Sequence, residues 1–255
     1  MTRQNGKQAT YDITNFTIRE MTECGKEIRT MNKGAASMEE VAFRIVQYLY
    51  DTVIDGQTGT QACSLIRFFK THTFEQLDDK LKSFAIDMLG REAFVSGTKC
   101  LTLLGTIGEN PEWNSRKTSK GHQAIPLPSE EAVDKIPMIR NLVKQLGMSI
   151  SHVIKPDQAL LMDIEQKTYN VFFVPEALGN PYIPAQEGFV IPYGIKSVLG
   201  FGGVLPLGDI FTIIMFLRIP VPREIPDFFK ILSLDVKLAI LPFEKAVFAR
   251  IGKVD

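Results

Sequence analysis

The sequence is poor in cysteine and has no excess of charge of either sign. Only three cysteines, Cys24, Cys63 and Cys100, occur among 255 residues, and none is part of a C-x-x-C pair. An odd number of cysteines without paired spacing argues against a disulfide framework and against a structural zinc site. Lys and Arg together number 29, as do Asp and Glu, so the formal net charge is zero. This balance provides no excess positive charge to attract nucleic acid or an anionic membrane. It also means that long-range charge repulsion does not oppose self-association.

Targeting and catalytic motifs are also missing. The first residues, MTRQNGKQATYD, lack the apolar core of a signal peptide, so we expect a cytoplasmic protein. The chain contains no GxxxxGK[ST], GxGxxG, GxSxG or HExxH. The sequence therefore gives no support for a phosphate-binding loop, a nucleophile elbow or a zinc protease site, and no catalytic residue is predicted from motifs. The three histidines, His72, His122 and His152, match no metal-ligand spacing, so no metal is predicted.

No apolar run is long enough to span a membrane. The stretch from Ser197 to Phe216 is among the most apolar, but Pro206, Gly208 and Asp209 interrupt it. A transmembrane helix needs about 20 consecutive apolar residues. The β-branched and aromatic residues of this stretch favour two strands, and the Gly-Asp pair favours a tight turn between them. Three further glycines in its first half indicate a bulge or the close approach of another element. We expect a β-hairpin from the middle of a sheet.

Two helices are indicated before the first strand. Apolar residues recur at helical spacing from Asn15 to Met31, with Asn15 or Thr14 as the N-terminal cap. Ser37 followed by Glu40 is a capping-box pattern that opens the second helix.

The rest of the chain alternates between helical and strand patterns. They predict strands at 61–70 and 98–108, a helix at 74–89, a helix over 129–146 that Pro137 interrupts, a short strand at 148–154, a helix leading into a strand over 157–174, and a closing helix at 225–243. We predict an α+β fold with one domain at residues 35–255, preceded by a tail and helical arm at residues 1–34.

The order of these elements resembles that of GAF domains. An opening helix (Glu39 to Tyr50), two strands, a variable middle, the stretch YNVFFVPEALGNPYIPAQEGFVIPYGIKSVLGFGGVLPLGDIFTIIMF and a closing helix follow one another. The likeness is clearest at GIKSVLGFGGVLPLGDIFTIIMF and extends from Ala36 to Phe243. It implies an antiparallel sheet flanked by helices. The region from Gly108 to Lys167 is longer than a minimal GAF domain needs.

The resemblance implies a sensory function. More narrowly, the chain is similar to sensor segments that precede histidine kinases and diguanylate cyclases in bacteria. It implies a small-molecule ligand of unspecified identity and, since neither module follows Phe243, a separate kinase or cyclase as partner. No particular cofactor is indicated. We expect a homodimer formed through the helix at 15–31, and a ligand that acts by shifting the population between two arrangements.

One loop carries the densest group of polar side chains. In EWNSRKTSKGH we predict that Trp113, Arg116, Lys120 and His122 bind the ligand, together with Tyr193 from a later proline-rich connection. Arg and Lys supply charge-assisted hydrogen bonds to an anionic ligand, while the aromatic rings cover an apolar part. The alternative is a solvated loop anchored by its tryptophan.

Two other functions are compatible with the sequence. A thiol-based methionine sulfoxide reductase is known on the GAF fold, so the resemblance also allows a redox enzyme that uses Cys63 or Cys100. Both cysteines are in predicted strands, and their sulfurs approach each other if the strands pair; otherwise each is a buried core residue. Neither is followed by His, as bilin attachment in related photoreceptors usually requires. The second alternative is a dimerisation module without a ligand.

Overall fold

A six-stranded antiparallel sheet forms the centre of the chain, in a computed structural model that describes residues 9–90, 94–155, 171–183 and 185–248. The strands are β1 Tyr11–Asp12, β2 Val53–Ile54, β3 Cys63–Thr73, β4 Lys99–Gly108, β5 Ala124–Leu127, β6 Val171–Val174, β7 Ser197–Val204 and β8 Ile210–Leu217. The order across the sheet is β5-β4-β3-β8-β7-β6, and a separate parallel pair is formed by β1 and β2.

Helices cover both faces of this sheet. They are α1 Ile18–Thr30, α2 Met38–Thr52, α3 Asp79–Leu89, α4 Glu130–Asp134, α5 Pro137–Gln145, α6 Ile150–Ile154 and α7 Pro226–Ile240, with 3-10 turns at Phe74–Gln76, Pro111–Trp113 and Leu241–Phe243 and a π-helix at Gln186–Val190. Across the described ranges, no helix combines the length and apolar character that crossing a bilayer requires.

The predicted hairpin between residues 197 and 216 is confirmed. β7 and β8 pair in antiparallel register, and the turn between them contains Gly208 at a φ of 85°. The predicted close approach also occurs, because a Cβ on Gly202 would lie 2.1 Å from the backbone oxygen of Phe211. A side chain at this position would therefore separate the two strands.

Helix starts follow the predicted chemistry with small shifts. Thr17, rather than Thr14 or Asn15, caps α1, because its hydroxyl accepts a hydrogen bond from the backbone N–H of Glu20. Ser37 caps α2 as expected, whereas the carboxylate of Glu40 accepts from the N–H of Ala36, one residue earlier than in a capping box.

The predicted strand at 148–154 is wrong, since the chain forms the short helix α6 there. The hydroxyl of Ser149 accepts a hydrogen bond from the N–H of His152, which starts a helical turn. Ile150, Val153 and Ile154 also stand at helical spacing. The helix predicted just before β6 falls on residues that lie outside the described ones, and the strand that follows it is confirmed.

The two faces of the sheet pack into separate apolar cores. On β3, Ile66 and Phe68 face the core covered by α1, α2 and α7. Leu65 and Phe69 face the opposite core, which α4, α5 and α6 cover. This alternation is the period-2 pattern of a strand that is buried on both faces.

Helix α1 packs against the closing helix α7 of its own chain. A Cβ on Gly25 would lie 2.1 Å from a carboxylate oxygen of Asp235, which shows how closely the helices approach. Arg29 forms an ion pair with Asp235 at 3.2 Å. The buried residues of α1 belong to the same core as α2. The domain division at residue 34 stays a prediction.

Candidate ligand-binding site

A cavity of about 300 Å³ lies on the face of the sheet opposite α1 and α2. Its sheet wall consists of side chains from three strands: Leu65, Arg67, Phe69, Ile125, Ile214 and Phe216. The facing wall comes from the start of α5 and from the segment around the π-helix, and the loop between β4 and β5 completes the rim. The lining is mainly apolar, and none of the described lining residues is Asp or Glu. An apolar cavity with a few polar groups is the usual form of a small-molecule site.

The charged group deepest in this wall is Arg67. It follows Leu65 and Ile66 on a central strand, and only 8% of its surface is exposed. Its Nη2 donates a hydrogen bond to the hydroxyl of Ser119 at 3.2 Å, whereas its Nε has no hydrogen-bond partner among the described residues. Burial lowers the pKa of Arg67 to about 10, so the group is still a cation at neutral pH. A buried cation without an acidic partner is costly and suits an anionic ligand.

Two of the predicted site residues, Lys120 and His122, lie at the cavity rim. The Nζ of Lys120 donates to Glu112 at 2.8 Å, and both side chains are exposed. His122 has a φ of 56°, the left-handed region that residues other than glycine rarely adopt, and this places its ring beside the cavity. Desolvation by its surroundings and the positive charge of Arg67 lower the pKa of His122. Backbone strain of this kind is often found at binding sites.

An aromatic group closes one end of the cavity. The ring of Trp113 lies 4.6 Å from that of Tyr193 and 5.6 Å from that of Phe189, measured between centroids. Trp113 and Phe189 line the cavity directly, while Tyr193 stands behind them and its hydroxyl accepts a hydrogen bond from Asn110. The structure therefore brings together the two segments from which these predicted residues come.

Arg116, the fifth predicted residue, is not part of the cavity lining. Its guanidinium donates to Glu39 at 2.7 and 3.0 Å and lies 3.5 Å from Asp78. Burial acts to lower the pKa of Arg116, but the hydrogen bonds and charge of Glu39 outweigh it and raise the pKa above its ordinary value. This arginine fastens the loop to α2.

The proline-rich connection contributes backbone and apolar groups to the cavity. The side-chain amide of Gln186 donates to the carbonyl oxygens of Ala177 and Ile183 and accepts from the N–H of Gly179. Gln186 therefore shapes the connection. Nearby, Gly188 lines the cavity, and a Cβ placed on it would meet no atom within 4 Å.

The cysteines are buried and far apart. β3 and β4 do pair, but the register sets Cys100 opposite His72, nine residues along β3 from Cys63. At about 3.3 Å per residue this separation is roughly 30 Å, so the expected approach of the two sulfurs is wrong. Burial raises the pKa of the Cys63 thiol well above its ordinary value and that of Cys100 to about 12. Within the described part of the chain, no group of three or more His, Cys, Asp or Glu is placed to hold a metal ion.

Arg67 was not among the predicted site residues, although the sequence contained a signal. It is the one charged residue in the apolar run SLIRFF, which was interpreted only as a strand. A charge inside a strand that is buried on both faces needs a specific environment.

Comparison with known proteins supports the fold. No protein-family model and no curated protein matches the sequence. Among solved structures, the free methionine-R-sulfoxide reductase of Neisseria meningitidis, in complex with its substrate, is similar at a TM-score of 0.50 and 9% identity, over 94% of this chain and 100% of that one. The A. aeolicus NLH2 GAF domain matches at 0.47 and 9% identity, over 88% of this chain and 95% of that one. The GAF domain of an Acinetobacter phosphoenolpyruvate-protein phosphotransferase matches at a TM-score of 0.42 and 11% identity, over 94% of this chain and 100% of that one.

At these identities the likeness concerns the fold alone. The six-stranded antiparallel sheet, with helices on both faces and the β7–β8 hairpin beside the central strand, agrees with the fold predicted from sequence. This chain has a GAF-like α+β fold.

Proposed function

We propose that this chain is a GAF-like sensor domain that binds a small molecule in the cavity beside β3. The observation that carries the proposal is the cavity itself, about 300 Å³ of apolar space with a buried arginine in its wall. Ligand pockets in proteins commonly measure about 300–1,000 Å³ and have this composition. The cavity lies at the small end of that range, which favours a small ligand.

The binding residues in this proposal revise the set expected from sequence. Trp113, Lys120 and His122 line the cavity, and Tyr193 supports the tryptophan ring. Arg67 takes the anion-binding role assigned earlier to Arg116, whose guanidinium is paired with Glu39.

Two central strands connect the cavity to the helices on the other face. On β8, Ile214 and Phe216 face the cavity core, whereas Ile213 and Met215 face the core beneath α1, α2 and α7. A ligand that binds one arrangement of the cavity better therefore also favours one packing of these helices, since only differential affinity can shift such an equilibrium. The output partner in this proposal is a separate kinase or cyclase.

We also propose that the chain forms a homodimer, through a surface other than the helix expected from sequence. The apolar stripe of α1 is largely used within its own chain, where Met21, Cys24 and Ile28 are buried. On α7, an exposed stripe at helical spacing is formed by Ile231, Leu234 and Leu238. Sedimentation velocity of the wild type and of Leu234→Glu tests this surface: the proposal expects a dimer that the substitution dissociates, and a wild-type monomer would contradict it.

The competing proposal of a thiol enzyme has less support. A catalytic cysteine needs an accessible thiol with a low pKa, whereas Cys63 and Cys100 are fully buried and the pKa of each is raised by that burial. The reductase that shares the fold therefore provides no argument for the same chemistry here.

Native mass spectrometry of the purified chain tests ligand binding. We expect a bound small molecule in the wild type, released and identified after denaturation. Gly188→Leu should abolish its retention, because Gly188 lines the cavity and no atom within 4 Å of its Cβ position excludes a larger side chain, whereas Gly188→Ala is the matched control and should retain it.

The proposal is wrong if the wild type carries no small molecule and its melting temperature does not change on addition of a low-molecular-weight cell extract. It is also wrong if a molecule is retained equally by wild type and Gly188→Leu, because the ligand would then lie elsewhere.

A further inference from the structure

The charge of the cavity wall identifies the chemical class of the ligand. Resting on the proposed function, we propose that the cavity binds a small monocarboxylate with an apolar body and no ammonium group, its carboxylate held by Arg67.

Most of the hydrogen-bonding capacity of Arg67 is unused among the described residues. A guanidinium has five N–H donors, and among the described residues this one makes a single hydrogen bond, from Nη2 to Ser119 at 3.2 Å. The side chain is more than nine-tenths buried and lines the cavity. Guanidinium and carboxylate match in planar geometry, so a carboxylate would satisfy both the charge and the remaining donors.

The net charge around the cavity favours a monoanion over a dianion. Lys120 at the rim is already paired with Glu112. His122 is uncharged at neutral pH, because desolvation and Arg67 lower its pKa. Among the described residues, Arg67 therefore supplies about one uncompensated positive charge, enough for a carboxylate but not for a phosphate monoester.

The remaining lining residues define the body of the ligand. Leu65, Ile125, Ile139 and Phe189 offer only apolar contacts. A free amino acid would bring an ammonium group into a cavity whose described lining includes no Asp or Glu. Burial of an unpaired ammonium is unfavourable, so amino acids should be rejected.

Isothermal titration calorimetry with four matched probes tests the proposal. Hexanoate carries the proposed features, hexanamide removes the charge, norleucine adds an ammonium, and hexyl phosphate adds a second negative charge. In the wild type, we expect hexanoate to bind at least tenfold more tightly than each of the other three. Arg67→Met should weaken hexanoate binding about ten- to a hundredfold and leave hexanamide binding unchanged.

Two further measurements separate binding from a structural role of Arg67. The melting temperature of ligand-free Arg67→Met should rise, because the substitution removes a buried charge that has no counterion among the described residues. Arg19→Met removes an exposed arginine on the other face of the sheet and should leave all four affinities at the wild-type values.

The outcomes are distinct. Equal affinity for hexanoate and hexanamide, or a preference for norleucine or hexyl phosphate, overturns the monocarboxylate assignment. So does a hexanoate preference that survives in Arg67→Met. If mass spectrometry identifies a neutral compound in the cavity, this inference fails while the proposed function stands. If the chain retains nothing and binds none of the probes, the proposed function itself fails.

Discussion

Arg116 donates two hydrogen bonds to the carboxylate of Glu39, from Nε at 2.7 Å and from Nη2 at 3.0 Å. The two side chains are only 10% and 18% exposed, and the guanidinium also lies 5.1 Å from the ring centroid of Phe248. The pair joins the loop after β4 to the first turn of α2. Because the same loop carries Trp113 and His122, which line the cavity, this ion pair holds part of the cavity rim in place.

We expect Arg116→Met to lower the free energy of unfolding by about 2–4 kcal/mol, because it leaves the shielded carboxylate of Glu39 without its bidentate partner. Arg140→Met is the matched control. It loses only an exposed ion pair with Asp134 and should cost less than about 0.5 kcal/mol. Urea unfolding followed by circular dichroism measures the free energy of unfolding of both variants. Equal losses would show that the Arg116 ion pair stabilises the fold no more than a surface pair does.

A second buried ionic group fastens the β7–β8 turn to the sheet. Asp209 accepts hydrogen bonds from Lys70 at 2.8 Å and Lys99 at 2.6 Å. Burial acts to raise the pKa of Asp209, but the two lysines outweigh it and hold the pKa below its ordinary value. We expect Asp209→Asn to cost about 3–5 kcal/mol, since the two ammonium groups then lose their shared counterion.

The control for that substitution is Asp227→Asn, which removes a carboxylate from a solvent-exposed pair with Lys230. It should change the unfolding free energy by less than about 1 kcal/mol. The same urea titration applies, and a cost below about 1 kcal/mol for Asp209→Asn would show that the turn does not depend on this ionic group.

The buried thiols give a prediction that separates the sensor from the redox enzyme. Because Cys24, Cys63 and Cys100 are all buried, none should react with Ellman's reagent within minutes in the native chain, whereas all three should react in guanidinium chloride. Rapid reaction of one thiol in the native protein would restore the enzyme hypothesis, and mass spectrometry of the labelled peptide would identify it.

Elements set by local chemistry were predictable from sequence, and elements set by distant partners were not. The β7–β8 hairpin follows from an apolar-turn-apolar pattern and from the tolerance of Gly208 for positive φ. The strand predicted at 148–154 was wrong, because the seven-residue run is too short for its period to distinguish a strand from a helix, and the cap at Ser149 determined the outcome.

The candidate site shows the same division. Trp113 and Tyr193 were predicted as site residues because aromatic residues in polar loops stand out, and the structure brings their rings together. Arg116 was predicted to bind the ligand, but its partner is Glu39. The two residues lie 77 positions apart, so their spacing in the sequence does not reveal the ion pair. Arg67 was not predicted as a site residue, because the role of a charged residue in an apolar strand depends on the groups that surround it in the folded chain.

We expect folding stability in mild acid to depend on His72. Its side chain is 1% exposed and its ring lies 5.3 Å from that of Phe248, with Lys70, Lys99 and Asp209 nearby. Burial, with a smaller contribution from Lys70, lowers its pKa from 6.5 to about 3. Below pH 6.5 the unfolded chain therefore takes up a proton at this site that the folded chain does not, so folding stability falls as the pH falls from about 6.5 towards 3.

Between pH 7 and pH 5 this single group should cost about 2 kcal/mol of folding stability. His72→Phe preserves an aromatic ring against Phe248 but cannot take up a proton, so its unfolding free energy should fall by about 2 kcal/mol less than that of the wild type over the same interval. Urea titrations at pH 7, 6 and 5 measure the difference, with His152→Phe as the control for loss of a histidine outside this core. Protonation of the carboxylates changes the unfolding free energy of wild type and variant equally. The difference between the two pH profiles therefore reports the protonation of the His72 imidazole alone. If the two pH profiles run parallel, His72 is protonated in the folded chain, and the core around it must admit water or a counterion.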